Sequence, residues 1–165
     1  MVNRFGARDV YQIQRTCLNG HVVTNNDINF PETPYCSKCG AETIAQCPKC
    51  NGPLRGGLPG VLTAKAPSPK SYCPHCGSPY PWTSERMKAL EELAQITDTL
   101  DDNDRSTITT LLPDLLVDAE TPRTPVAAAK FKKVLKKGGA AFTASARELF
   151  VDVSATVIKK VLFEP

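Results

Sequence analysis

Eight residues in four close pairs constrain this chain more than any other feature: Cys17-x-x-x-His21, Cys36-x-x-Cys39, Cys47-x-x-Cys50 and Cys73-x-x-Cys76. Seven cysteines is an odd number, which suits a disulfide framework poorly. Adding His21 makes eight, the number that two tetrahedral zinc sites require. A CxxC turn presents two sulfurs from an N–H-rich bend, and a residue tolerant of left-handed backbone must follow it. Gly40 and Gly77 stand at that position after Cys39 and Cys76, and Asn51 stands there after Cys50.

Two pairings of these ligands are open. Sequential pairing gives one zinc to Cys17, His21, Cys36 and Cys39 and another to Cys47, Cys50, Cys73 and Cys76, which is two zinc ribbons in tandem. A cross-braced pairing would interleave them. The seven residues GAETIAQ between Cys39 and Cys47 leave room for one ribbon to finish before the next starts, and favour the sequential scheme. If His21 were an ordinary surface histidine and Cys17 a plain buried thiol, the first site would be half-made. His75, inside Cys73-Pro-His-Cys76, is read as an exposed side chain, not a ligand. CPHC also has the form of a redox motif, but Gly77 and Pro79 follow at once where such a motif opens a helix. Iron is the alternative metal for the all-cysteine set.

Both sites are expected to be full, whereas a catalytic zinc keeps a position open. The sequence has no P-loop, no GxSxG and no His-x-Glu ahead of a cysteine pair. A non-enzyme is expected.

Nothing after residue 80 is Cys or His, and this sets the domain boundary: a double zinc ribbon over 1–82 and a helical domain over 83–165. The first half has too few large apolar residues to fold on a core alone, so metal must contribute much of its stability. Residues 51–72 read as a long Gly/Pro loop. In the second half, Thr83 or Ser84 caps a helix to about Leu100, with Met87, Leu90, Leu93, Ala94, Ile96 and Leu100 on one face. DDND breaks it, and a second helix runs through ITTLLPDLLVDA with a kink at Pro113. Thr124 caps a third, with Pro125 at its first position, and Gly138-Gly139 ends it. A last helix runs to Leu162. The expected fold class is a small zinc-stabilised β unit of tandem ribbons followed by an all-α module of three to four helices.

Charge is segregated. Residues 83–120 carry three Lys/Arg against ten Asp/Glu, and residues 121–165 carry nine against three. Residues 1–82 carry eight against four, and seven thiolates with two dications lower that excess to about +1. A strongly basic first half is thereby excluded. Lys130, Lys132, Lys133, Lys136 and Lys137 crowd one face of the third helix, opposite Ala127, Phe131, Val134 and Leu135. This basic face either pairs with the acidic segment upstream or meets a partner.

In their order, CLNGH, YCSKCGAETI, CPKCNGPLRG and YCPHCGSPYPW resemble a bacterial family of zinc-ribbon proteins catalogued only as a domain of unknown function. The resemblance runs the length of the chain, supports the ligand assignment and implies a bacterial cytosolic protein; it brings no activity with it. The N-terminus has no apolar stretch of signal-peptide length and the chain no run of eighteen apolar residues, so a cytoplasmic protein without a transmembrane segment is expected.

The expected role is a non-enzymatic adaptor holding two structural Zn²⁺. Its ribbons form a rigid platform, and its C-terminal helices dock another protein or a second copy. Trp82, Phe131, Lys132, Lys136, Phe150, Ile158 and Leu162 are the candidate partner contacts. The alternative is a nucleic-acid-binding accessory factor using the basic loop (Arg55, Lys65, Lys70) and the lysine-rich helix. A remoter reading places the C-terminal helices on a membrane surface.

Overall fold

Short runs of β-branched residues next to turn-forming ones give the N-terminal half its strands. In the computed structural model, which describes residues 11–27, 33–60, 68–151 and 162, these are β1 (Arg15–Cys17), β2 (Val22–Thr24) and β3 (Thr43–Ile44). They form one antiparallel sheet in the order β2-β1-β3. Thr16 faces Val22 on one side and Ile44 on the other, so β1 is the central strand. A bulge between Arg15 and Thr16 bends the β1–β2 hairpin. Arg15 grips Asp27 with both arms of its guanidinium, at 2.6 and 2.9 Å, and pins the chain leaving β2.

The stretch read as a free Gly/Pro loop is partly tied down. Gln14 N–H donates to the Leu54 carbonyl, Gln12 N–H to Gly57, and Gly56 N–H back to Gln12. These bonds lay residues 54–57 beside 12–14, where Leu54 is buried. Gly56 is required there, because a Cβ would lie 2.4 Å from the Asn25 carbonyl oxygen.

The chain divides into two units, Met1–Trp82 and Thr83–Pro165. Three helices follow the sheet: α1 (Pro81–Gln95), α2 (Asp102–Leu115) and α3 (Thr124–Val151). Aspartate sets the start of α2: the Asp101 side chain accepts from Asp104 N–H, and the Asp104 side chain accepts from Asp101 N–H. DDND is thus a reciprocal cap as well as a break. Pro113 lies inside α2 but only in its last turn, where the helix closes at Leu115 and little hydrogen bonding remains to be lost. Thr124 does not act as the expected cap. Its hydroxyl donates to the Asp114 carbonyl and accepts from Thr121 N–H, tying α3 to the end of α2. At Gly139 the backbone leaves helical geometry, with φ 82° and ψ −176°, so α3 is two helices meeting at the glycine pair, where the stop was expected.

The second unit is held by one apolar core. Leu90 and Ala94 come from α1, Ile108, Leu111, Leu112 and Leu115 from α2, and Ala127, Phe131, Val134, Leu135, Phe142, Ala146 and Phe150 from α3. Phe131 and Phe150 meet edge to face across the break, with centroids 5.7 Å apart. Among the described residues no helix is long and apolar enough to cross a membrane.

Candidate metal centres

Three of the four ligand pairs sit in the same backbone turn. In each, the first cysteine donates its N–H to the carbonyl five residues on: Cys36 to Ala41, Cys47 to Gly52, Cys73 to Ser78. In each, the carbonyl of that cysteine accepts from the N–H four residues on, at Gly40, Asn51 and Gly77. Those three residues have φ of 72°, 56° and 69°, so the left-handed position is filled by glycine twice and by asparagine once. The flanking residues close each turn as a short hairpin, Tyr35 with Glu42, Gln46 with Pro53 and Tyr72 with Pro79. The first pair uses a turn one residue tighter. Cys17 N–H donates to the His21 carbonyl and Gly20 N–H to the Cys17 carbonyl, with Gly20 at φ 88°.

These turns bring the eight ligands together as two groups of four. Cys17, His21, Cys36 and Cys39 form one, and Cys47, Cys50, Cys73 and Cys76 the other, with the ligand atoms of each within 4.8 Å of one another. The grouping is sequential, not interleaved. In the first, His21 Nδ1 lies 3.6 Å from Cys17 Sγ, 3.3 Å from Cys39 Sγ and 3.8 Å from Cys36 Sγ, and Cys17 Sγ lies 3.8 Å from Cys39 Sγ. In the second, Cys47 and Cys76 are 3.9 Å apart and Cys50 and Cys73 3.7 Å. A tetrahedral ion with metal–sulfur bonds of about 2.3 Å and metal–nitrogen bonds of about 2.0 Å has edges of about 3.8 Å (S–S) and 3.6 Å (S–N). The four separations in the first group and the two in the second lie close to those edges, and all seven cysteines are free thiols. Each can hold one metal ion.

The surroundings act unequally on the sulfurs of each group. His21 N–H donates to Cys17 Sγ at 3.2 Å, and Asn19 Nδ2 donates to Cys39 Sγ at 3.4 Å. The Ala41 N–H, then the Asn19 amide, draw Cys39 down to about 6. The Ser78 hydroxyl and N–H do the same to Cys76, also to about 6. At Cys50 the Gly52 N–H acts in the lowering direction, but lost hydration and three neighbouring sulfurs outweigh it and push the thiol up to about 12. Burial pushes Cys17 up, although the His21 and Asn19 N–H groups pull the other way. Four packed sulfurs cannot all ionise alone; a bound dication removes that conflict.

His75 is exposed and stays out of the second group, its ring packed over Gly52, where a Cβ would lie 2.5 Å from His75 Cδ2. Behind the second group, Tyr80 and Trp82 stack at 4.8 Å and join Cys47, Leu54 and Cys73 in a small apolar cluster. Burial, then a hydrogen bond to Cys73, raises the Tyr80 phenol above its ordinary range. Trp82 Nε1 donates to the Lys70 carbonyl at 2.8 Å.

The proposed partner contacts fare differently from the ligands. Trp82 is 2% exposed, Phe131 0%, Phe150 1% and Leu162 5%: all four are core residues of their own unit, unavailable to a partner. The helical spacing of Phe131, Phe150 and Leu162 marked a buried face and carried no information on what buries it; Trp82, in the Tyr80-Pro81-Trp82 group, takes the packing role that is the alternative to an exposed contact. Ile158 lies outside the described residues. Lys132 is half-buried and Lys136 exposed. Ile96 departs from the expected α1 face and is 78% exposed: its N–H still bonds to the Glu92 carbonyl, and helical register there sets it far round from the Leu90–Ala94 stripe. It lines an open groove with Ala89, Glu92, Leu93, Glu148 and Leu149, which periodicity alone did not reveal.

No curated protein and no solved structure matches this chain. One family model does, over residues 10–162, a span that includes all eight ligands and the three helices. The chain belongs to the family described as "uncharacterized protein conserved in bacteria (DUF2321)".

Proposed function

We propose that this protein is a non-enzymatic adaptor built on two structural Zn²⁺ ions, with two tandem zinc ribbons as a rigid platform and a helical module that docks another protein. One observation carries the reading: each ligand group brings four donor atoms within 4.8 Å of one another, as a site with four protein ligands requires. A site with four protein ligands has no vacant position for substrate, so its work is structural. At the first group zinc is preferred over iron because of its imidazole, which zinc accepts readily beside thiolates; at the all-cysteine group metal analysis separates zinc from a single iron. The edges also suit a single ion and not a multi-iron cluster, whose cysteines are spread farther apart. A cytoplasmic setting, where thiols stay reduced, agrees with seven free cysteines.

The test is metal analysis of the purified chain together with cross-linking in the native bacterium under nuclease treatment. Two zinc per chain and a nuclease-resistant protein partner are expected. One zinc or none, or a catalytically exchangeable site, overturns the structural role; loss of every cross-link on nuclease treatment overturns the adaptor.

A second reading, a nucleic-acid accessory factor, is favoured by the lysine helix. Lys137 is paired with both Asp101 and Asp104, but Lys130, Lys132, Lys133 and Lys136 have no carboxylate partner among the described residues. Intramolecular pairing therefore accounts for one lysine of five. Of the basic loop, Arg55 lies over the Tyr11 ring at 4.2 Å, and Lys65 is outside the described residues.

A further inference from the structure

The two ligand groups turn different edges to solvent. In every turn the first ligand is buried and the second faces outward: Cys17, Cys36, Cys47 and Cys73 are at most 4% exposed, whereas Cys39, Cys50 and Cys76 are exposed and His21 is half-buried. The outer edge of the first group is therefore an imidazole and one sulfur, His21 with Cys39. That of the second is two sulfurs, Cys50 with Cys76. Hydrogen bonding adds to the difference. Asn19 Nδ2 donates to Cys39 and the Ser78 hydroxyl to Cys76, while Cys50 has the Gly52 N–H and no side-chain N–H or O–H donor among the described residues. Charge points the same way: three thiolates with a dication leave −1 on the first group, and four leave −2 on the second. Thiolate sulfur is the nucleophile toward peroxides, and its susceptibility follows exposure and anionic character.

We propose that the outer edge of the second group is a site of reversible oxidation by hydroperoxides, closing as a Cys50–Cys76 disulfide that gives up the ion of that group and leaves the first group loaded. The inference rests on the reading of both groups as zinc sites. The Cys50 thiolate attacks one oxygen of hydrogen peroxide; the S–O bond forms as the O–O bond breaks, and hydroxide leaves. The Cys76 thiolate then attacks the Cys50 sulfur; the S–S bond forms as the S–O bond breaks, and a second hydroxide leaves. Two thiolates have then given two electrons to one peroxide. The two sulfurs, within 4.8 Å of each other, close to a bond of about 2.05 Å. Cys47 and Cys73 remain as two ligands where four are needed. The first group has no equivalent closure at its surface. A sulfenic acid on Cys39 meets an imidazole on the outer edge, while Cys17, 3.8 Å away, is fully buried and Cys36 is buried too. Oxidation is felt behind the second group, where Cys47 and Cys73 pack with Leu54, Tyr80 and Trp82.

The experiment uses the full chain, with its zinc content measured first, treated with hydrogen peroxide. Released zinc is followed with a chromogenic chelator, Trp82 by its fluorescence, and disulfides by peptide mass spectrometry after alkylation of the free thiols. One ion of the two is expected to leave about tenfold faster than the other, in step with a Cys50–Cys76 disulfide and a change in Trp82 fluorescence. Dithiothreitol with added zinc is expected to reverse all three. Cys76→His keeps four ligands but removes the resolving sulfur, and is expected to slow the fast release about tenfold. His21→Cys gives the first group a second outward sulfur, and is expected to make both ions leave fast. Loss of both ions from the unaltered chain at one rate, earlier loss from the first group, or a disulfide elsewhere overturns the proposal, whatever the variants do. Fewer than two zinc ions before peroxide is added overturns the zinc reading and this inference with it; two ions that both resist peroxide overturn this inference alone.

Discussion

Gly20 sits directly against Trp82: a Cβ on Gly20 would lie 3.1 Å from Trp82 Cβ, at a backbone φ of 88°. Gly20 belongs to the tight turn that presents Cys17 and His21, and Trp82 to the cluster behind Cys47 and Cys73. One glycine–tryptophan contact therefore lies between the turn of the first group and the cluster behind the second. Gly20→Ala suffers twice, from left-handed strain and from crowding the indole. A loss of about 1–3 kcal/mol is expected. Trp82 is the one tryptophan of the chain, so its fluorescence during chemical denaturation reads this unit directly.

The three repeated turns give a sharper test of backbone conformation. Asn51 has φ 56° where its two counterparts are glycine. Asn51→Gly should leave stability nearly unchanged, and Asn51→Ala should cost about 1 kcal/mol, because alanine lacks the short polar side chain that tolerates this region. Denaturation midpoints of the two zinc-loaded variants check the order. Equal midpoints would show that the turn relaxes.

Metal loading should separate by site. His21→Ala removes one corner of the first tetrahedron and leaves the second untouched. Cobalt titration is expected to show one normal tetrahedral site and one weakened at least tenfold, as loss of a ligand commonly produces. Residues 81–151 contain no ligand from either group, so chelation should reduce the tryptophan signal while preserving most helical dichroism. A parallel loss of both sites in His21→Ala would contradict independent tetrahedra.

The reciprocal cap of α2 has a pH signature. A hydrogen bond from Lys137, then the Asp104 N–H, hold the Asp101 carboxyl down to about 2, and its partner Lys137 is raised in return. A depressed carboxyl stabilises the fold above its unfolded value of about 4, and that contribution fades as pH falls toward 2. The lysine share is lost at the opposite end, as pH rises through its raised value. Asp101→Asn keeps a capping oxygen but loses the ion pair, so its melting deficit should shrink between pH 5 and pH 2. A deficit independent of pH would mean that the pair contributes nothing.

Core and groove residues should part company on mutation. Phe131→Ala empties the centre of the second unit and is expected to cost about 3–5 kcal/mol. Ile96→Ala should change stability by no more than about 0.5 kcal/mol. For the lysine face, the adaptor reading expects weak nucleic-acid binding at physiological salt. Tight binding that falls by about 2–4 log units per log unit of salt, and is abolished by Lys132→Glu with Lys136→Glu, would replace it with the accessory-factor reading.

The two groups of four were legible because metal chemistry would fix residue type and spacing together, and the structure brings those eight residues together as paired. The Cys and His positions, the left-handed residues after them and the break at Gly139 could all be read from the chain. Packing partners were not. Phe131 and Ile96 both looked like members of an apolar face, yet one is wholly buried and the other stands in solvent. Periodicity says that a face is apolar but not how wide a stripe is covered: Ile96 keeps helical register with Glu92 yet lies far round from Leu90 and Ala94. The pairing of residues 54–57 with 12–14 was equally hidden, since its bonds are backbone bonds that leave no side-chain signature.

Sequential grouping of the ligands also sets an order in time. As the chain leaves the ribosome, the first ion can be captured once Cys39 has emerged, before any ligand of the second group has appeared. The second waits for Cys76, and the buttress behind Gly20 arrives only with Trp82. In chain order, the first group of four is complete before the second begins, and the wedge of Trp82 against Gly20 comes last.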